Sequence, residues 1–500
     1  MSLPTHASQP DPRRWRALVF ICLAQLMVVL DGTVMNIALP SAQHDLGFSD
    51  TSRQWVVTAY ALAFGGLLLF GGRIADLWGR KRAFVTGVLG FAAASVLGGA
   101  AVNTGMLLGA RALQGVFGAL LAPAALSLLT VMFTEARERA KAFGIYGALA
   151  GGGAAIGLLL GGALTEYLNW RWTLLVNIFF AVAAAAGAIA LVRDPGTRHD
   201  RSRKLDVPGV LLATGGLVCL VYGLTQAETN GWTSAATLGL TGAGLVLLAA
   251  FVVLERRVTT PLLPLRVVLD RNRGGAYLSL GLAVIGMFGL FLFLTFYLQI
   301  VLGYSPLVCG VAFLPMTAGM MIGATQIGTR LTPRLPARRL MAPGFLVAAA
   351  GLAILAQITP HSSYAAVVLP GLFVMGLGLG AAMMPAISLA TVGVEPQDSG
   401  VASAMVNTSQ QIGGAIGTAL LNTIAASATT TYAHHHPTAG RPPLDALVHG
   451  YATAIWWAAG ILTLAALTAA ALVRHDPRQP APRTAADTQH DSRHALAGKD

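Results

Sequence analysis

Charge is what this chain has least of. Only 11% of its 500 residues are Asp, Glu, Lys or Arg, and 55% are hydrophobic. An ordinary soluble chain carries about 25% charged residues. The mean hydropathy of +0.65 therefore excludes a chain that folds in water. Cysteine is scarce as well. Cys22, Cys219 and Cys309 each lie in or at the end of an apolar stretch, with no C-x-x-C pair. That excludes a disulfide scaffold and a cysteine-based zinc site. There are four lysines, and the one Gly-Lys pair, Gly498-Lys499, precedes the terminal aspartate. Without a G-x-x-x-x-G-K-[ST] loop, ATP is not the direct energy source. No nucleophile elbow, metal-ligand cluster or soluble effector domain supports a membrane-embedded enzyme or sensor.

Apolar runs of bilayer length are what the chain does have. A crossing needs about 20 mostly apolar residues. Fourteen stretches qualify: 17–39, 55–73, 83–102, 106–131, 141–164, 172–192, 206–226, 235–254, 274–299, 305–328, 339–358, 364–391, 400–427 and 452–473. The first, in RRWRALVFICLAQL, has no A-x-A cleavage site after a short apolar region, so it reads as an uncleaved span. The thirteenth carries Asn407, Gln410 and Gln411 and is the least apolar. Topology keeps it. With fourteen crossings both termini are cytoplasmic in a cell membrane, and 29 of the 33 Lys and Arg residues face that side. Arg53, Arg171 and Arg441 fall in outside loops, and Arg111 lies within a span. This is the positive-inside pattern, and it accounts for the net charge of +12 without nucleic acid. Arg13-Arg14 reads as an inside anchor.

The spans group as six, two and six. The expected organisation is a cytoplasmic tail (1–16), a six-helix bundle (17–192), linkers with two extra helices (193–273), a second six-helix bundle (274–473) and a disordered tail (474–500). RIADLWGRKR (73–82) and RLTPRLPARR (330–339) follow the second span of each six-span group. Duplicated bundles around a midplane site are a common transporter plan. His434, His435 and His436 fall in the long outside loop after the thirteenth span. With no fixed geometry beside them they read as solvated rather than metal-binding, and no cofactor is expected.

Asp31, in VVLDGTVMNIALP, is the only one of 21 acids well inside an expected span. A carboxylate there costs roughly 2.5–3.5 kcal/mol on insertion scales. One reading makes it a group for which proton and substrate compete. Another makes it structural, bonded to Asn36 or nearby backbone. Arg111 has two readings likewise: it faces an interior cavity beside an acid, or it snorkels to the outer surface.

GGRIADLWGRKRAF resembles the loop signature of the major facilitator superfamily, G-x-x-x-D-x-x-G-R-x-R, at Gly72, Asp76, Gly79, Arg80 and Arg82. Leu77 stands where the family often has arginine. LLGARALQGVFGALLAP (107–123) resembles the fourth-span motif through Arg111, Gln114 and Gly115. GALAGGGAAIGLLLGGALTEYLNWRW (147–172) resembles the fifth-span antiporter signature through Gly151, Gly157, Gly161 and Gly162, with Leu158 in place of the usual proline. LDGTVMNIALP resembles the first-span motif of the fourteen-span drug:proton antiporter subgroup at Asp31, Asn36, Ala38 and Pro40. WVVTAYALAFG, YLQIVLGYSPLVCGVAFLP and GVEPQDSGVASAMVNTSQQIGGAIG resemble that subgroup too.

The resemblance covers nearly the whole chain and implies an all-α integral membrane protein with the major facilitator fold. It implies proton-coupled export of small amphipathic compounds by a monomer. Asp31 and Arg111 are its proton-coupling and substrate candidates, and the loop from Gly72 to Arg82 its conformational switch. Asn36, Tyr60, Gln114, Tyr297, Gln299, Asn407, Gln410 and Gln411 are candidate cavity-lining residues. The missing second intramembrane acid points to neutral, amphipathic or singly charged substrates. One charge crossing 100 mV yields about 2.3 kcal/mol, and one pH unit about 1.4. Together these sustain roughly a several-hundred-fold gradient per proton. Transport of a single metabolite on the same fold is the alternative.

Overall fold

The computed structural model describes residues 13–474 apart from 134, 193–205, 259–262, 264, 332–333, 392–398 and 436–443. Both expected tails lie almost wholly outside the described residues. The described chain is helical throughout. In order come α1 (Arg14–Leu46), α2 (Asp50–Trp78), α3 (Arg80–Gly99), α4 (Thr104–Met132), α5 (Ala136–Tyr167), α6 (Trp172–Leu175) and α7 (Asn177–Leu191). A pair follows, α8 (Val207–Asn230) and α9 (Ala235–Glu255), then the short α10 (Leu265–Val268). The last group is α11 (Arg271–Phe296), α12 (Pro306–Ala312), α13 (Leu314–Ile322), α14 (Ala337–Leu355), α15 (Leu369–Thr391), α16 (Ser399–His435) and α17 (Leu444–Leu472). Three π-helical turns, Tyr297–Val301, Gly323–Thr329 and Tyr364–Val368, extend α11, α13 and α15.

Local chemistry sets many of the boundaries. Ser49, Asn103, Asp206, Ser234, Asp270 and Ser305 each accept a bond from a backbone N–H in the first turn of the helix they precede, satisfying donors a helix start leaves open. α2 and α3 are joined by a single residue, Gly79, at φ +104°. A side chain there is strained, so glycine is what permits the abrupt junction.

Among the described residues, twelve helices are long and apolar enough to cross a membrane, where fourteen are expected from sequence. The expected spans 55–73 and 141–164 fall in α2 and α5. Both helices include side chains outside the described residues, and neither is among the twelve. The thirteenth expected span is present within α16. That helix runs on to His435, so His434 and His435 sit in its last turn rather than in a loop, and His436 lies outside the described residues. Arg53 is likewise no loop residue. It belongs to the first turn of α2 and is buried.

The helices form two bundles, α1–α7 and α11–α17, with α8 and α9 packed alongside. One apolar core fills the first bundle toward the end carrying the chain termini, around Phe84, Phe91 and Phe133. A second fills the last bundle, around Phe293, Phe313 and Phe345. At the far end this second core takes in Ile37, Leu39, Val56, Leu107 and Leu158 of the first bundle. The seam between bundles is therefore closed by continuous packing at the far end. A small third core joins Ala61 and Leu62 of α2, Leu217 and Val221 of α8, and Ala415 and Ala419 of α16. Leu211, Val246, Phe179 and Leu467 point outward, fully in keeping with a lipid-facing surface.

Candidate functional site

Asp31 projects from the middle of α1 and is 1% exposed. Its carboxylate receives three donors. Arg111 Nη1 lies 2.6 Å from Oδ2, and Gln114 Nε2 and Asn177 Nδ2 each lie 2.8 Å from Oδ1. Arg111 is held in turn. Its Nε donates to the Val56 carbonyl at 3.0 Å, Nη1 also reaches Gln114 Oε1 at 2.8 Å, and the guanidinium sits 4.5 Å above the Tyr60 ring. Ser95 Oγ accepts from Gln114 at 2.8 Å and from Asn177 at 3.2 Å. Five helices of the first bundle thus converge on one ion pair.

The spacing on α4 explains half of this. Arg111 and Gln114 are three residues apart and share a helix face, so both reach Asp31 from one side. Asn177 begins α7 and reaches it from another. An ionised carboxylate is acceptor-only, and here both of its oxygens accept from buried donors. Both charges are buried, so removing either leaves the other stranded away from water. The two charges are thus each other's ion-pair partner inside the bundle.

The structure shows neither an Asn36–Asp31 bond nor a surface-reaching Arg111. Arg111 does not snorkel to the surface; it is 1% exposed. Asn36 does not hold Asp31; its amide donates to Gly32 O at 3.2 Å within its own helix. Tyr60 and Gln114 join the cluster. Tyr297 donates to Thr359 O at 2.8 Å in the last bundle, while Gln299 Nε2 crosses the seam to Ile37 O at 3.0 Å. Gln411 packs against Gly65 of α2, and Asn407 and Gln410 are half-buried on the same helix. The expected cavity set is therefore dispersed rather than gathered.

The loop residues fall at the α2–α3 junction. Gly72 faces Pro123 of α4 and Gly79 makes the turn. Arg80 opens α3 and is half-buried, and Arg82 is exposed. The Asp76 side chain lies outside the described residues, and so do the surroundings of Gly151. On α5, Gly157 lies against Thr33 and Leu30 of α1, and Gly161 against Val34. Two of the glycines thus seat α5 on the turns flanking Asp31. Gly162 faces Pro306 and Leu307 of the other bundle.

Sequence reasoning missed Ser95 and Asn177. Ser95 is one hydroxyl in an apolar run, and Asn177 follows the short α6; neither spacing announces a partner. A cavity of about 790 Å³ opens at the far end between the α8–α9 turn, α16 and α17, lined by Trp232, Tyr432, Trp457, His435 and His449 among others. It shares no residue with the Asp31 cluster. Among the described residues no three His, Cys, Asp or Glu side chains gather as a metal site.

The family model described as "Major Facilitator Superfamily" matches residues 21–418. The chain belongs to that superfamily. A puromycin resistance protein of Streptomyces alboniger is 55% identical over 93% of this chain and 92% of its own length. A cephamycin export protein of Amycolatopsis lactamdurans is 40% identical over 83% and 85%. A tetracenomycin C resistance and export protein of Streptomyces glaucescens is 33% identical over 85% and 78%. Among solved structures, a bacterial homolog of the human lysosomal transporter Spinster, inward-facing and unoccupied, superposes with TM-score 0.65 at 19% identity, covering 93% of this chain and 99% of that one. At that identity the likeness speaks for the fold alone. The major facilitator fold of this transporter is all-helical among the described residues.

Proposed function

We propose that this superfamily member exports small amphipathic compounds in exchange for protons, with Asp31 as the proton-exchanging group and Arg111 as its counter-charge. Drug efflux by a secondary transporter is the function; the resistance and export proteins among its relatives carry that part. Proton coupling rests on one observation, the fully buried Asp31–Arg111 pair at 2.6 Å within the first bundle. A protonated Asp31 no longer holds the guanidinium, so the pair is a two-state element within alternating access.

The membership we favour is the fourteen-span drug:proton antiporter subgroup. α2 and α5, helices of 29 and 32 residues, supply the two further crossings. That parity sets both termini on one face of the cell membrane, the cytoplasmic one by the positive-inside rule. Gly72, Asp76, Gly79, Arg80 and Arg82 act as the conformational switch there. The protein works as a monomer.

The test is dye or antibiotic efflux from energised cells, comparing the intact chain with Asp31→Asn at equal expression, with and without a protonophore. Efflux that stops with the protonophore and is absent in the variant supports proton exchange at Asp31. A variant that pumps normally assigns coupling elsewhere. Narrow specificity is the second reading, favoured by relatives named for single compounds; export of one compound from a broad panel would establish it.

A further inference from the structure

At the far end, two charged side chains of the first bundle reach across the seam into the second. Glu166, in the last turn of α5, is exposed, and its Oε2 accepts the Leu307 N–H of α12 at 2.9 Å. Ser305, which caps α12, also hydrogen-bonds the carboxylate. The bond sits on a close approach of backbones. Gly162 of α5 faces the Leu307 Cα at a distance that leaves no room for a Cβ, and Gly310 of α12 faces the Leu158 carbonyl in the same way.

Arg53 makes the second crossing. It lies in the first turn of α2 and is 6% exposed. Its Nη2 donates to Asn422 Oδ1 of α16 at 3.3 Å, and its guanidinium stands 4.1 Å from the centroid of the Phe296 ring of α11. A guanidinium over an aromatic face is attracted to the ring quadrupole. Between the two crossings, Gln299 donates to Ile37 O. The ties therefore use four helix pairs, α5 with α12, α2 with α16, α2 with α11, and α1 with the extended α11.

We infer that Glu166 and Arg53 are the latches of the outer gate: each is held by the opposite bundle when the far end is closed, and both release when the transporter opens outward. The inference rests on the alternating-access reading above. Hydrogen bonds to a charged group are roughly twice as strong as neutral ones, so these contacts weight the closed state more than the surrounding apolar packing alone. The described contacts of both residues lie outside the Asp31 cluster. They set which end is open, not which proton is bound.

The experiment places spin labels at Val102 and His361, exposed far-end positions of the two bundles, in the purified full chain, and measures the distance distribution between them. Glu166→Gln keeps an acceptor for Leu307 but no charge, and is expected to raise the long-distance population. Glu166→Ala is expected to raise it further, and adding Arg53→Gln several-fold. Asp45→Asn is the control. Asp45 pairs with Arg171 at 3.0 Å within the first bundle, so its loss is expected to leave the distances unchanged. Unchanged distances in Glu166→Ala/Arg53→Gln overturn the inference, as does equal lengthening in Asp45→Asn. The readout needs no driving ion. Failure of proton coupling, seen as protonophore-insensitive efflux, is therefore distinguishable from failure of the latch.

Discussion

The two bundles share a plan but bury different things. The first encloses Asp31, Arg53, Gln54, Ser95, Arg111, Gln114 and Asn177; the last encloses Ser279, Thr295, Thr317, Thr408, Thr418, Asn422 and Thr423. Among the described residues, the buried charge of the bundles is thus confined to the first, while the last buries hydroxyls and one amide. The last bundle has its own speciality. All three described π-helical turns lie in it, and such turns are local departures from the α ladder often found at functional positions. One bundle holds the buried charge and the other carries the departures from the α ladder.

The sharpest way to break that comparison is to remove one charge from the first bundle. Arg111→Leu strands the Asp31 carboxylate and is expected to cost about 3–5 kcal/mol, seen as a large fall in the unfolding midpoint in detergent, with efflux abolished. Asp31→Asn/Arg111→Gln is expected to recover most of that stability but not efflux. A double variant as unstable as the single one would mean that packing, not charge, is what Arg111 supplies.

A matched pair of uncharged changes sharpens the contrast. Asn177→Leu removes a donor from a buried carboxylate and is expected to cost about 1–3 kcal/mol. Thr418→Val removes a hydroxyl whose bond is to Gly414 O of its own helix at 2.8 Å, and such back-bonding contributes little. Less than about 0.5 kcal/mol is expected. Equal losses in the two variants would erase the distinction between halves.

The smallest effect is expected of pH on the outer latch. Hydrogen bonds from Ser305 and from the Leu307 N–H hold the Glu166 carboxyl below its ordinary pKa. A group with a depressed pKa stabilises the state that depresses it at pH above its ordinary value, and loses that contribution as pH falls through the depressed one. Asp45 and Arg171 pair with each other at this end. Between pH 6 and 8 the label distances at Val102 and His361 are therefore expected not to move. A shift in that range would assign the far end another titrating group.

How much of this was legible in advance depends on the range of the contact. Hydropathy and the run of basic residues located most of the helices, because each depends on about 20 consecutive residues. Asp31 and Arg111 stood out because a charge within an apolar span needs a reason. Their pairing joins residues 80 apart, and Asn177 lies 146 from Asp31; no local pattern carries such distances. Arg53 misled for the same reason. Near the end of a span, a basic residue in a loop and one buried against Phe296 have the same sequence signature. Glu166 drew no notice at all, since it lies just past the expected end of its span and its partner is 141 residues on.

The placement of α8 bears on how the two seams between the bundles are sealed. Thr214 Oγ1 donates to Gly66 O on α2, and Thr423 Oγ1 of α16 donates to Leu224 O, both at 3.2 Å. One linker helix is thus fastened to both bundles and lies over the seam that α2 and α16 make. The seam between α5 and α12 has no described contact with it. The two flanks of the transporter are sealed by different means. On one, a linker helix bridges the bundles through side-chain hydroxyls; on the other, α5 and α12 close directly on each other at Gly162 and Gly310, with no room for a side chain between them.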